Sequence, residues 1–167
     1  MNCMQRNKAI LDFLLIFRMK ILMVCLGNIC RSPMAHGFME GLIAKHQLDW
    51  TVDSAGTNVF HDGEHPDPRA ILEMKKHGLD ISKQVSRKIQ AQDLESFDLI
   101  LTMDRQNLNY VKKLGGDRDI SEKAHLLLKY ANVQNAEEVP DPYYDNRFQE
   151  SGKLIQIACE QIVQKYL

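Results

Sequence analysis

Cysteine, surplus charge and long apolar runs are all scarce in this sequence, and each shortage excludes a class of protein. Four cysteines, Cys3, Cys25, Cys30 and Cys159, occur in 167 residues, too few for a disulfide-built scaffold. They suit a reducing, cytoplasmic setting in which a thiol serves as chemistry. Lys and Arg number 21 against 22 Asp and Glu, a formal charge of −1. The usual electrostatic basis for binding nucleic acid or an anionic membrane surface is therefore missing. No apolar run approaches the ~20 residues that cross a bilayer. There is no internal repeat, low-complexity tract or interdomain linker. What remains is ordinary, with 44% apolar and 26% charged residues, and the length fits one domain with its own core.

Residues 1–18 stand apart from the rest. Their basic start and the apolar run Ala9–Phe17 resemble a signal peptide faintly, but Asp12 interrupts the run and no small-x-small cleavage site follows. They read as an N-terminal extension, helical or disordered, ahead of a domain at 19–167, with Met19 as an alternative natural start.

From Lys20 the pattern becomes regular. Ile21 to Val24 form a continuous apolar run ending at Cys25, as expected of a strand buried on both faces of a parallel sheet. Ser32-Pro33 reads as a helix start, Ser as N-cap and Pro at the first position, with the helix continuing to about His46. A second strand is expected over Trp50–Ala55, then a loop to Pro68 and a helix Arg69–His77 closed by Gly78. A helical turn at Ile89–Leu94 precedes a strand at Phe97–Met103. Asp104 caps a helix that Gly115-Gly116 stops, and a short strand follows at Ala124–Leu128. Residues 139–146 read as irregular, and Phe148–Tyr166 as a closing helix. This alternation predicts an α/β fold, a single open parallel four-stranded sheet with helices on both faces. Ligands of such sheets bind beyond the carboxyl ends of strands, where Cys25 sits.

The chemistry concentrates in Cys25-Leu26-Gly27-Asn28-Ile29-Cys30-Arg31-Ser32. A loop between a buried strand and a helix N-terminus can turn its amides onto a tetrahedral oxyanion. Gly27 and Asn28 are the residue types most tolerant of left-handed backbone. Arg31 offers a planar fork for two phosphate oxygens. The amides, the helix dipole and Arg31 favour a thiolate at Cys25, and Ser32 can donate to its sulfur. The competing reading, an inert core cysteine beside a surface arginine, does not explain why strand, Gly-Asn, Arg and Ser-Pro fall in register. The loop suits acceptance of a phosphoryl group onto sulfur, with charge held on the equatorial oxygens.

A phosphate ester also needs its leaving oxygen protonated. Asp141, between Pro140 and Pro142, stands on a stiff loop, and burial beside rings and an anion would keep it protonated. Tyr143 and Tyr144 can wall a deep pocket for an aromatic leaving group.

These residues, Cys-Leu-Gly-Asn-Ile-Cys-Arg-Ser-Pro and Asp-Pro-Tyr-Tyr, resemble the low-molecular-weight protein tyrosine phosphatases. Asp53-Ser54-Ala55-Gly56-Thr57, His65-Pro66-Asp67-Pro68-Arg69 and Phe97 to Asp104 are similar to the same family, so that the resemblance spans residues 19–166. It implies hydrolysis of phosphotyrosine through a phosphocysteine, with Cys25 as nucleophile, Arg31 binding phosphate and Asp141 as general acid and base. It further implies thiolate support from Ser32, loop support from Asn28 with Ser54, and no metal or organic cofactor. The implied partner is a phosphotyrosine protein or aryl phosphate, acted on by a monomer or weak oligomer without nucleic acid or a membrane span. Phe60 and His61 lie where the family's variable loop carries a specificity-setting aromatic residue, and Phe60 either packs on a phenyl ring or merely fills the loop. A reversible Cys25–Cys30 disulfide is also implied, against an inert buried Cys30.

Two other activities and one non-catalytic role compete with this one. Arsenate reductases of related fold share the cysteine-to-arginine loop but need two more cysteines within reach, and residues 31–158 hold none. Protein arginine phosphatases of this kind carry threonine in place of Ile29 and lack the paired tyrosines. A non-catalytic phosphate-binding module would need a missing catalytic group, and none is missing. His36 stands where many family members carry an acidic residue, and nothing in the sequence accounts for it.

Overall fold

The apolar run after Lys20 behaves as its composition requires. In the computed structural model, which describes residues 18–167, strand β1 (Lys20–Cys25) leaves only Lys20 exposed. Its side chains alternate between two cores: Ile21, Met23 and Cys25 join one cluster, Leu22 and Val24 the other. The extension read over residues 1–18 lies, apart from Arg18, outside the described residues.

Strands β2 (Thr51–Gly56), β3 (Leu99–Thr102) and β4 (Ala124–Leu126) complete a sheet of order β2-β1-β3-β4, parallel throughout. The register sets Cys25 against Gly56 and Val24 against Thr102. One face is covered by α1 (Arg31–His46), α2 (Pro68–Lys76) and α7 (Phe148–Gln164), which contribute Phe38, Met74 and Ile155 among others. The opposite face is covered by α3 (Asp93–Ser96) and α4 (Arg105–Gly115), through Leu94 and Val111. The fold is thus the open four-stranded parallel sheet, with helices on both faces, that the alternation predicts. The chain leaves β1 toward one face and β3 toward the other. The loops at their carboxyl ends diverge there and leave a crevice.

Several boundaries differ, each for a physical reason. The first helix starts at Arg31, with Cys30 in the cap position and no side-chain cap; Ser32 is not the N-cap, because its hydroxyl is engaged elsewhere. Helix α2 starts at Pro68, since Asp67 accepts from the Arg69 amide. The fourth strand ends at Leu126 rather than 128, because β3 offers no partner past Thr102, and the chain turns into α5 (Leu127–Tyr130). The stretch 139–146 is not wholly irregular: Asp141 caps α6 (Pro142–Asp145). The turn expected at 89–94 lies at Asp93–Ser96, and the third strand is shortened to Leu99–Thr102. Among the described residues no helix is long and apolar enough to cross a membrane.

Candidate active site

The loop after β1 is held by its carbonyls. Cys25 and Leu26 oxygens accept from the Thr57 and Asn58 amides, each at 3.0 Å. Gly27 oxygen accepts from Ser86 Oγ at 3.1 Å, and Ile29 oxygen from the Asp67 amide at 2.8 Å. All these donors lie outside the loop. A trans peptide points its N–H opposite to its C=O, and no cis peptide occurs among the described residues. The Leu26, Gly27, Asn28 and Cys30 amides are therefore turned the other way, into the loop. One of them already meets its target, since Asn28 N–H donates to Cys25 Sγ at 3.3 Å. Such a ring of amides above a helix N-terminus favours a bound anion.

Asn28 is the hub of this arrangement. Its φ is 55°, in the left-handed region that Asn tolerates. Nδ2 donates to Ser32 Oγ at 2.9 Å and to Ser54 Oγ at 3.0 Å, and Oδ1 accepts from the Arg87 amide at 3.0 Å. Ser32 Oγ, thus occupied as acceptor, lies 3.1 Å from Cys25 Sγ and 3.4 Å from Ala55 oxygen. Its single hydrogen is better placed on sulfur than on the more distant carbonyl. Gly27, expected in the same left-handed region, is not there. Its small size is needed because a Cβ would approach His61 Cδ2 to 3.1 Å.

Arg31 is 2% exposed, which rules out the reading of a surface charge. Nη1 donates to Asp104 Oδ2 at 2.7 Å and to Val139 oxygen at 3.1 Å, and Nη2 to Asp141 Oδ2 at 2.8 Å. Burial works against its charge, but Cys25, Asp141 and Asp104 outweigh it and raise its pKa above the ordinary arginine value. Asp141 is thus an ion-pair partner of Arg31, and not simply a carboxyl set against rings as expected. Its Oδ1 accepts from the Tyr143 amide at 3.2 Å.

These groups open into a cavity of about 250 Å³ lined by Cys25, Leu26, Gly27, Ile29, Cys30, Arg31, Asn58, Phe60, His61, Asp141, Tyr143 and Tyr144. Every predicted pocket residue is brought to it. Asn28, Ser32 and Ser54 do not line the cavity, and their side chains are joined to one another by hydrogen bonds. Phe60 is 82% exposed, so it is no buried filler. Tyr143 and Tyr144 rings meet edge to face at 5.2 Å, and His61 lies 6.2 Å from Tyr143. The Cys30 thiol is buried, and burial first, then the charges of Cys25, Asp67 and Asp141, push its pKa well up. Among the described residues no cluster of His, Cys, Asp and Glu is arranged to hold a metal.

Sequence reasoning missed several contributors. Asp104 was legible as a cap, and its Oδ1 does accept from the Asn107 amide at 2.8 Å, but its second oxygen is the Arg31 partner. Arg87 binds Asp53 and Asp93 through its side chain while its amide supports Asn28. Nothing local in the sequence marks these pairings. Gly56 stands out in the sequence only as part of the stretch that resembles the family; in space, a Cβ there would come within 2.9 Å of Leu26 oxygen.

Known proteins resemble this chain along most of its length. Residues 20–166 match the family described as low molecular weight phosphotyrosine protein phosphatase. The low molecular weight protein-tyrosine-phosphatase YfkJ of Bacillus subtilis is 37% identical over 145 residues, covering 86% of this chain and 92% of its own. Its crystal structure superposes with a TM-score of 0.85 over 89% of this chain and 94% of that one, at 35% identity. The Schizosaccharomyces pombe low molecular weight phosphotyrosine protein phosphatase is 39% identical over 130 residues, 75% of this chain and 81% of its own. A Drosophila structure titled DARP, drosophila arginine phosphatase, matches with a TM-score of 0.82 at 36% identity, over 89% of this chain and 98% of that one. The cradle of amides, the buried arginine and the sulfur beneath them thus belong to a chain of the low molecular weight phosphotyrosine protein phosphatase family, a protein-tyrosine-phosphatase.

Proposed function

We propose that the protein hydrolyses phosphotyrosine monoesters through a phosphocysteine, with Cys25 as nucleophile, Arg31 holding the phosphoryl oxygens and Asp141 as acid and then base. One observation carries the reading. Cys25 Sγ lies under the Asn28 amide at 3.3 Å, in the cavity that also holds Arg31 and Asp141, themselves 2.8 Å apart.

In the first step the Cys25 thiolate forms the S–P bond while the bond from phosphorus to the phenolic oxygen breaks. The proton of Asp141 passes to that oxygen. The inward amides and the Arg31 fork hold the charge on the three equatorial oxygens. Arg31 Nη2 moves from Asp141 to the phosphoryl group, which releases the carboxyl to face the leaving oxygen. In the second step Asp141, now a carboxylate, takes a proton from water as the new O–P bond forms and the S–P bond breaks.

The arginine-phosphatase neighbour makes phosphoarginine the informative competitor. Ile29 lines the cavity with an apolar branch, and Tyr143 and Tyr144 offer rings to an aryl ester, which favours phosphotyrosine. Cys159 is wholly buried, its Sγ 3.8 Å from Ala35 oxygen, so it is not poised as a relay thiol for arsenate reduction. The test is a panel of phosphotyrosine, phosphoserine and phosphoarginine peptides with Cys25→Ser and Asp141→Asn. Phosphotyrosine should turn over fastest, and Cys25→Ser should abolish turnover. Asp141→Asn should lower kcat/KM about 100-fold for phenyl phosphate and far less for p-nitrophenyl phosphate. Equal loss for both esters would remove Asp141 from the role of acid, and faster phosphoarginine turnover would replace the substrate class.

A further inference from the structure

Asp141 has two direct anchors. Arg31 Nη2 holds Oδ2 and the Tyr143 amide holds Oδ1. The first is the guanidinium that the phosphoryl group requires, so it cannot serve Asp141 throughout the reaction. The second is a backbone amide on α6, a helix of four residues that has little stability of its own. Whatever fixes that turn decides where the acid stands.

Arg69, in the first turn of α2, reaches across to it. Nε and Nη2 bind the two carboxylate oxygens of Asp67 at 3.0 and 2.8 Å, which sets the plane of the guanidinium. Nη1 and Nη2 then point at the Tyr143 carbonyl at 3.4 and 3.5 Å, and Nη1 at Asn146 Oδ1 at 3.3 Å. The same group lies 4.8 Å from the Phe148 ring and 5.6 Å from the Tyr143 ring, within cation–π range of both. Asp67 is itself tied to the phosphate loop, its amide donating to Ile29 oxygen. Each polar contact to α6 is long and individually weak. Three such contacts and two ring faces nevertheless converge on one turn and its exit. One carboxylate partner orients this arginine, and its remaining donors go to neutral acceptors on the acid's own turn.

We propose that Arg69 is a positioning residue for Asp141: it braces α6 against α2 and the phosphate loop, and keeps the carboxyl in place once Arg31 has turned to the substrate. This rests on Asp141 being the general acid. No bond forms or breaks at Arg69.

The test is kcat/KM across aryl phosphates of graded leaving-group pKa for the wild type, Arg69→Ala, Arg69→Lys, Asp141→Asn and the double variant Arg69→Ala/Asp141→Asn. A misplaced acid should cost Arg69→Ala about tenfold on phenyl phosphate, where displacement of about 1 Å can cost ~100-fold, and under about twofold on p-nitrophenyl phosphate. Arg69→Lys, charged but without a fork, should show the same steepening. Inhibition by inorganic phosphate should stay unchanged, and the double variant should match Asp141→Asn alone. A loss equal for all leaving groups, or one that multiplies with that of Asp141→Asn, would overturn the proposal. Should Arg69→Ala fail to fold, Asn146→Gly keeps the left-handed backbone at φ 62° and removes one acceptor. It should steepen the dependence in the same sense, and no steepening would overturn the proposal. If Asp141→Asn steepens the dependence and Arg69→Ala does not, the brace alone falls; if Asp141→Asn leaves it flat, the acid assignment falls first.

Discussion

Asn28 combines four tasks at one position: it bends the loop, offers its amide to sulfur, orients Ser32 and ties down the segment at Arg87. The bend was legible in the sequence, because few residue types accept a positive φ. Of its three side-chain bonds, the one to Ser54 came only through the family resemblance, and those to Ser32 and the Arg87 amide were not legible, because they depend on how the loop folds back and on a segment 59 residues away. Ser54 belongs to the same network and leads to His36, whose Nδ1 lies 3.3 Å from Ser54 Oγ. The structure thus gives His36 a place that the sequence did not explain. Burial lowers its pKa from the ordinary 6.5, with Glu40 and Asp53 acting in the opposite sense. The sign follows from proton counting. Below about pH 6.5 the unfolded chain takes up a proton that the folded chain refuses, so this contribution is complete above that pH and is lost as pH falls. Urea unfolding over a pH series should show stability declining below pH 6.5, and His36→Gln should decline less over the same interval. An identical decline in the variant would assign the titration to other groups.

At the scale of elements, local patterns located all four strands and the four longer helices to within a few residues. The errors cluster where tertiary pairing overrides the local signal. Residues 127 and 128 are apolar enough for a strand, yet the ladder stops where β3 stops. Ser32 has the composition of a cap, yet its hydroxyl is drawn to Cys25. The same dependence on neighbouring elements appears where β2 ends. Gly56 faces Cys25 in the register, its amide donates to Arg87 oxygen at 2.8 Å, and its oxygen accepts from Ile89 at 2.9 Å. A Cβ there would lie 2.9 Å from Leu26 oxygen and 3.1 Å from the Asn28 nitrogen. Both are backbone atoms with no rotamer to yield. Gly56→Ala should therefore destabilise the fold by about 1–3 kcal/mol, the usual cost of overpacking, and displace the loop enough to depress kcat/KM for every substrate alike. Gly63 supplies the control, with φ 82° and open space where its Cβ would be. Gly63→Ala should cost about 1 kcal/mol of backbone strain and leave turnover near wild type. Denaturant titration and steady-state kinetics on both variants would check this, and full activity in Gly56→Ala would show the loop to be more pliable than these contacts allow.

Across the whole molecule the site is an assembly of distant segments. Arg31 meets Asp104 and Asp141 over separations of 73 and 110 residues, and Asn28 meets Ser54 over 26. The contiguous loop after β1 and Asp141 as a candidate acid were therefore readable from the sequence, whereas the pairing of Asp104 and Asp141 with Arg31 required the sheet. Only the parallel order β2-β1-β3-β4 brings the ends of β1, β2 and β3 to one edge, so only the folded chain offers an anion this set of donors. Binding should then appear as global stability. An anion that binds the native state alone at a hundred times its Kd adds about 2.7 kcal/mol, and each kcal/mol raises Tm by roughly 2–4 °C for a domain of this size. Inorganic phosphate or vanadate should accordingly raise Tm by several degrees over chloride at equal ionic strength. Arg31→Met should lose that increment, because it removes the fork while keeping an apolar stem of similar length in the buried site. A rise of the same size in Arg31→Met would mean that the anion stabilises some other part of the fold, and the loop after β1 would lose its claim to be the phosphate site.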